Sequence, residues 1–145
     1  MKVKIKLLDE RAIPMTYGTE YSAGADIYSL PGGNVEIKPG ETVLLHTGIA
    51  MEIPEGYVGL IFARSGLASK RGLAPANKVG VIDSDYRGEI MVALHNHSEK
   101  SAVVEGGERI AQISIVPFLK ADFVISDELS STVRGEGGFG STGKK

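Results

Sequence analysis

Apolar runs in this chain are short, and glycine or proline punctuation separates nearly all of them. TVLLHTGIAMEI, YVGLIFA, EIMVALHN, SAVVE, RIAQISIVPF and DFVIS are set off by turn signals such as Pro31-Gly32-Gly33, Pro39-Gly40, Pro54-Glu55-Gly56 and Gly106-Gly107. Ahead of them Val3, Ile5 and Leu7 alternate with Lys2, Lys4 and Lys6, the period-two pattern of a strand with one wet face. Val35 and Ile37 alternate in the same way within NVEIK. About ten short strands at spacings of roughly 8–12 residues predict an all-β fold, a jelly-roll-like barrel or sandwich. No stretch sustains a 3.6-residue period. The one short helix predicted runs over residues 65–71, with Ser65 as N-cap and Gly72 as the closing left-handed residue. The expected division is a β domain over residues 1–133 and a flexible glycine-rich C-terminal arm over residues 134–145.

At 145 residues such a chain forms one domain and buries roughly 68–70% of its unfolded surface, so no covalent staple is required. A formal net charge of −2 argues against a nucleic-acid coat and against a polybasic membrane surface. Cysteine is absent, which removes disulfides, thiolate zinc sites, iron–sulfur ligation and cysteine nucleophiles together. No apolar run approaches the roughly 18–20 residues of a membrane span, and MKVKIKLLDE has no signal-peptide core. The expectations are therefore no nucleic-acid partner, no membrane and a cytoplasmic location.

Several familiar patterns fail on context. Gly135, Gly137 and Gly140 satisfy G-x-G-x-x-G, but a dinucleotide site needs a strand before and a helix after. Gly138 to Lys144 matches G-x-x-x-x-G-K, yet Lys145 stands where a P-loop has Ser or Thr. Asp83-Ser84-Asp85 with Gly88 resembles a calcium loop, but Arg87 and Leu94 occupy ligand positions. His95 and His97 lack a third ligand nearby and read as surface histidines, and His46, in an apolar run, reads as structural.

Five segments carry more chemistry than folding alone requires. Ala23-Gly24-Ala25-Asp26-Ile27-Tyr28-Ser29 places a carboxylate between apolar strand residues, either capping a turn or facing a hydrated cation. Ala63-Arg64-Ser65-Gly66-Leu67-Ala68 combines a guanidinium, a hydroxyl and the start of a helix, the makings of an anion site or of a capped basic turn. Asn77 to Met91 reads as a hairpin presenting backbone donors and acceptors; Asp83, following Val81 and Ile82, is a partly shielded general-base candidate, and Tyr86 offers a flat face to a sugar. Gln112 interrupts the apolar strand RIAQI and needs a partner or a ligand. Finally RGEGGFGSTG, with five glycines between Arg134 and Gly143, holds Arg134, Phe139, Ser141 and Thr142, the components of an anion-and-ring clamp. Phosphate donors, two carboxylates, an amide and two rings together suit a nucleoside triphosphate.

In this order and spacing the five segments resemble the five motifs of the trimeric dUTPase family, and the resemblance spans Ala23 to Gly143. It implies that Asp83 activates the water that attacks the α-phosphorus of dUTP, giving dUMP and pyrophosphate. Tyr86 would pack on the deoxyribose. Asn77 and the main chain of Gly80, Val81 and Ile82 would read uracil, with Met91 lining the same pocket. Arg64, Ser65, Gly66 and Gln112 would hold phosphates, and Asp26 would hold Mg²⁺ through water. Arg134 would bind the γ-phosphate, Phe139 would stack on the base, and Gly140, Ser141 and Thr142 would donate to phosphate. The resemblance also implies a homotrimer with sites between subunits, each arm closing over a neighbour's site. Ala25 departs from the larger residue many members carry. A dCTP deaminase, a relative of the same fold, is the competing enzyme reading, and a nucleotide-gated partner-binding protein the competing non-enzymatic one.

Overall fold

In the computed structural model, which describes residues 1–138, twelve short strands and one helix form a jelly-roll-like β-sandwich. The strands are β1 Lys4–Leu7, β2 Thr16–Tyr17, β3 Ala25–Tyr28, β4 Val35–Ile37, β5 Thr42–Leu45 and β6 Ile49–Glu52. After β7 Tyr57–Phe62 comes helix α1 Ser65–Arg71, then β8 Leu73–Pro75, β9 Gly80–Ile82, β10 Val92–Asn96, β11 Ala102–Val104 and β12 Arg109–Pro117. The main sheet runs β2-β3-β12-β7-β9, faced by β5-β10-β8 and flanked by the pairs β1-β6 and β11-β4. All of these pairings are antiparallel.

Period two explains the core. Ala25 and Ile27 of β3, Ile61 of β7 and Ala111 and Ile113 of β12 point inward; Leu45, Leu73, Val92 and Leu94 meet them from the facing sheet. Fully burying each Ile, Leu or Val contributes about 1.5–3 kcal/mol. Gly59 sits in this layer because a Cβ there would lie 2.9 Å from Ile53 Cδ1 and 3.0 Å from Ile113 Cδ1. The Asn96 side chain is buried with its bonding complete: Nδ2 donates to the carbonyls of Ile37 and Lys100, each at 2.8 Å, and Oδ1 accepts from the Ser98 amide and hydroxyl. Among the described residues no helix is long and apolar enough to cross a membrane.

Five local expectations need correction. The apolar face of β1 is not covered: Ile5 is 42% and Leu7 46% exposed, because β1 pairs only with β6 and no second layer lies on it. DFVIS forms no strand; Phe123, Val124 and Ile125 stand 81–99% exposed, since none of the described strands lies beside them. The N-cap of α1 is Arg64, in extended conformation and without a side-chain cap, while Ser65 is the first helical residue. Gly72 does close the helix, at φ 66°. The run from Asn77 to Met91 is the long connection of a hairpin rather than a plain one: its flanking strands β8 and β10 pair antiparallel, Leu94 opposite Pro75, but between them the chain crosses to the main sheet as β9, paired with β7, and returns. His46 is exposed rather than set in an apolar strand, and lies in the turn after β5.

Candidate functional site

Register places the first half of the site. Asp26 on β3 stands opposite Gln112 on β12, which stands opposite Phe62 on β7. Directly paired residues share a face, so all three lie on the side of the main sheet away from Ile27, Ile61 and Ile113. The chain leaves β7 at Phe62 and turns into α1, which brings Arg64 back over Asp26. Arg64 Nε donates to Asp26 Oδ1 at 2.7 Å, and Arg109 Nη1 donates to Asp26 Oδ2 at 3.2 Å. The Gln112 amide donates to the Ala63 carbonyl at 2.8 Å, the partner that a polar interruption of this strand demanded. Its other end explains Gly24: a Cβ there would fall 2.6 Å from Gln112 Oε1.

Asp26, Arg64, Ser65, Gly66 and Gln112 thus line one cleft of about 350 Å³, joined by Lys70. Arg64 is matched by Asp26 and Arg71 by Glu108. Lys70 is exposed and forms no ion pair among the described residues, which leaves the cleft a cation for an incoming anion. A larger open cleft of about 980 Å³ lies behind the helix and shares Lys70, Arg71 and Glu108, but it carries none of the predicted site residues.

The second half of the site lies in the loop from Asn77 to Met91. Lys78 adopts φ 65°, a left-handed conformation uncommon outside glycine, and turns the chain sharply before β9. The turn brings the Asn77 amide over Gly80, where a Cβ would lie 3.5 Å from Asn77 Nδ2 and 3.2 Å from Ile61 Cβ. Val81, Ile82, Asp83, Tyr86 and Met91 line one pocket of about 250 Å³ with Leu44 and Glu89. Tyr86 folds over Gly88, whose added Cβ would strike the phenol, and its hydroxyl donates to the Glu89 carbonyl at 2.9 Å. Asp83 is exposed; the partial shielding expected of it is absent in the single chain, because its neighbours Val81 and Ile82 belong to an edge strand.

The two halves share no lining residue. Arg134 joins neither: its Nε donates to the Gly137 carbonyl at 2.9 Å in a local turn. Phe139, Gly140, Ser141 and Thr142 lie outside the described residues. Among the described residues no three His, Asp or Glu side chains gather as a metal site. His95 and His97 pack edge to face with ring centroids 4.4 Å apart, and His95 Nδ1 lies 2.8 Å from the Thr42 hydroxyl.

Sequence reading passed over Arg109, Lys70 and Glu89. Arg109 and Lys70 stand three residues before Gln112 and four after Gly66, spacings that in hindsight put them near the same cleft. Nothing local in the sequence marks Glu89, because its partners are more than forty residues away.

The dUTPase family model matches residues 10–143. The deoxyuridine 5'-triphosphate nucleotidohydrolase of Hydrogenobaculum sp. is 51% identical over 145 residues, covering 100% of both chains. That of Nautilia profundicola is 51% identical over 144 residues, 99% of this chain and 100% of its own. A solved structure of a variant Staphylococcus bacteriophage 80alpha dUTPase with dUpNHpp superposes with a TM-score of 0.90 at 32% identity, covering 98% of each chain. Five motifs in order, the fold that carries them and full-length similarity agree: this chain belongs to the dUTPase family.

Proposed function

We propose that this protein hydrolyses dUTP to dUMP and pyrophosphate, and so limits uracil incorporation into DNA while supplying dUMP. The observation that carries the reading is the pocket in which Val81, Ile82, Asp83, Tyr86 and Met91 converge. The β9 main chain and the Asn77 amide supply donors and acceptors for a uracil edge. The Tyr86 ring supplies a wall for a deoxyribose, where a 2′-hydroxyl meets an apolar face. Asp83 takes a proton from a water whose oxygen bonds to the α-phosphorus, while the bond from that phosphorus to the bridging oxygen breaks and pyrophosphate departs.

Arg64, Ser65, Gly66 and Gln112 bind the phosphates, and Arg134 with Phe139, Gly140, Ser141 and Thr142 closes over them. Little covalent work is left to the protein; positioning and charge stabilisation dominate. Mg²⁺ fits this site only through water. Both Asp26 oxygens already accept from guanidinium groups, whose charge disfavours a cation in direct contact, while the remaining lone pairs can accept from a metal-bound water. When bound with the triphosphate, the ion offsets phosphate charge.

Two half-sites without a common lining residue favour a site completed between subunits, in a homotrimer where one chain's cleft faces the next chain's pocket. The uncovered residues of β1 and of the stretch after β12, Leu119 at 97% and Phe123 at 94% exposure among them, fit burial in such an assembly. Pyrophosphate release measured with dUTP, dTTP, dCTP and UTP tests the reading. The expected result is turnover of dUTP at least about 10²-fold above each of the others, since a pocket closed to the thymine methyl and the 2′-hydroxyl rejects them sterically. Equal rates across the four overturn it, and ammonia release from dCTP points to the deaminase instead.

A further inference from the structure

Glu89 stands at the end of the loop that carries Asp83 and Tyr86, and it makes more bonds than a surface glutamate needs. Its Oε1 accepts from the amides of Gly48 at 2.7 Å and Thr47 at 3.1 Å. Its Oε2 lies 2.8 Å from His46 Nδ1. An ionised carboxylate only accepts, so Nδ1 carries the proton. Burial raises the Glu89 pKa, but the bonds from His46, Gly48 and Thr47 outweigh it and hold the carboxyl below its ordinary value. The side chain is therefore ionised throughout the neutral range.

The surrounding contacts tighten the same seam. Thr47 Oγ1 donates to the Ile90 carbonyl at 2.6 Å, the Ile90 amide donates to the Ile49 carbonyl at 2.8 Å, and Glu89 forms an isolated bridge with Ala50. Gly48 is required in that turn: it sits at φ 70°, and a Cβ would come within 2.9 Å of Ala12 Cβ. On its other side Glu89 offers its carbonyl to the Tyr86 hydroxyl. One residue thus ties a buried turn to the ring that walls the nucleoside pocket.

We propose that Glu89 is a positioning residue for substrate selection: its carboxylate anchors the 83–90 loop to the turn 46–48, and its carbonyl fixes the Tyr86 ring. The proposal rests on the dUTP reading above. Its distinctive consequence is in discrimination between sugars, because a displaced ring no longer meets the 2′-position. Glu89→Ala leaves two backbone amides unpaired and frees the loop. Glu89→Gln keeps an oxygen for both amides and offers an N–H to the other tautomer of His46. Tyr86→Phe removes only the hydroxyl's bond.

The experiment measures kcat and KM for dUTP and UTP, melting temperature, and amide hydrogen exchange. For Glu89→Ala the account expects KM for dUTP to rise about 10-fold and the preference for dUTP over UTP to fall about 10-fold, the scale of a small misplacement. Glu89→Gln restores both to within about threefold. Tyr86→Phe lowers the preference by a lesser factor with an unchanged melting temperature. Exchange at Thr47, Gly48 and 83–90 quickens about 10-fold in Glu89→Ala while β7 stays protected. A common fall in both substrates' rates with the preference intact, or unchanged exchange, overturns the proposal. If Glu89→Ala does not fold, Tyr86→Phe decides, and an unaltered preference in that variant refutes the ring-fixing role. Wild-type protein without dUTP turnover refutes the proposed function alone, and the exchange arm still decides the anchoring.

Discussion

Replacing Asp83 by asparagine is expected to lower kcat for dUTP by about 10²–10⁴-fold, the usual contribution of a positioned general base. The substitution preserves size and shape at an exposed loop position, so the fold and the melting temperature should hold. KM, or the affinity for a non-hydrolysable dUTP analogue, should change little, because the proposed uracil and sugar contacts come from β9, Asn77 and Tyr86. That split between rate and binding marks a group that acts in the transition state. Steady-state kinetics beside calorimetric binding of the analogue checks it. Near-normal turnover by Asp83→Asn removes Asp83 from its role.

Deleting residues 134–145 should have the next largest effect, a loss of about 10²-fold or more in turnover with the fold intact. The physical basis is that, among the described residues, the Arg134 side chain bonds within its own turn, and the described residues from 118 onward hold no helix or strand and stand largely exposed. None of the described residues of the arm is buried in the core, so the fold is expected to stand without it. On the proposed reading the deletion withdraws donors to the phosphates, and single donors of that kind are worth about 10²–10³-fold in rate. Ordering an arm of glycines costs about 1–2 kcal/mol per residue in backbone entropy, which contacts with the bound triphosphate must offset. Such an arm excludes water during reaction and still releases product. Rate, melting temperature and solution mass of the truncated chain check the prediction, and an intact rate would show the arm to be a linker.

Much of this architecture was legible in the sequence for reasons of short range. Alternation at Val35 and Ile37, the short apolar runs, a glycine where the helix must stop, and proline–glycine turns are local, and local rules placed those elements. The polar interruption at Gln112 signalled a partner, and the partner proved to be the Ala63 carbonyl. What local pattern did not reveal depends on distant chain. The period of β1 predicted a covered face, yet what covers a face is tertiary or quaternary. DFVIS has strand composition but none of the described strands beside it. The run from 77 to 91 does join an antiparallel pair, β8 and β10, but local pattern did not show that β9 within it would cross to pair with β7 in the main sheet. Glu89 was invisible for the same reason, its amides arriving from the turn at 46–48. The separation of the first four motifs into two half-sites is likewise a matter of sheet order: Asp26 and Gln112 lie on β3 and β12, whereas Asp83 follows the edge strand β9.

The central claim is that the Asp83 carboxylate prepares the attacking water. A crystal structure of the protein with Mg²⁺ and a dUTP analogue whose α,β-bridge resists hydrolysis tests it most directly. The account predicts one ordered water hydrogen-bonded to Asp83 and about 3–3.5 Å from the α-phosphorus, in line with the departing bridge. An α-phosphorus remote from Asp83, with no ordered solvent between them, would contradict it.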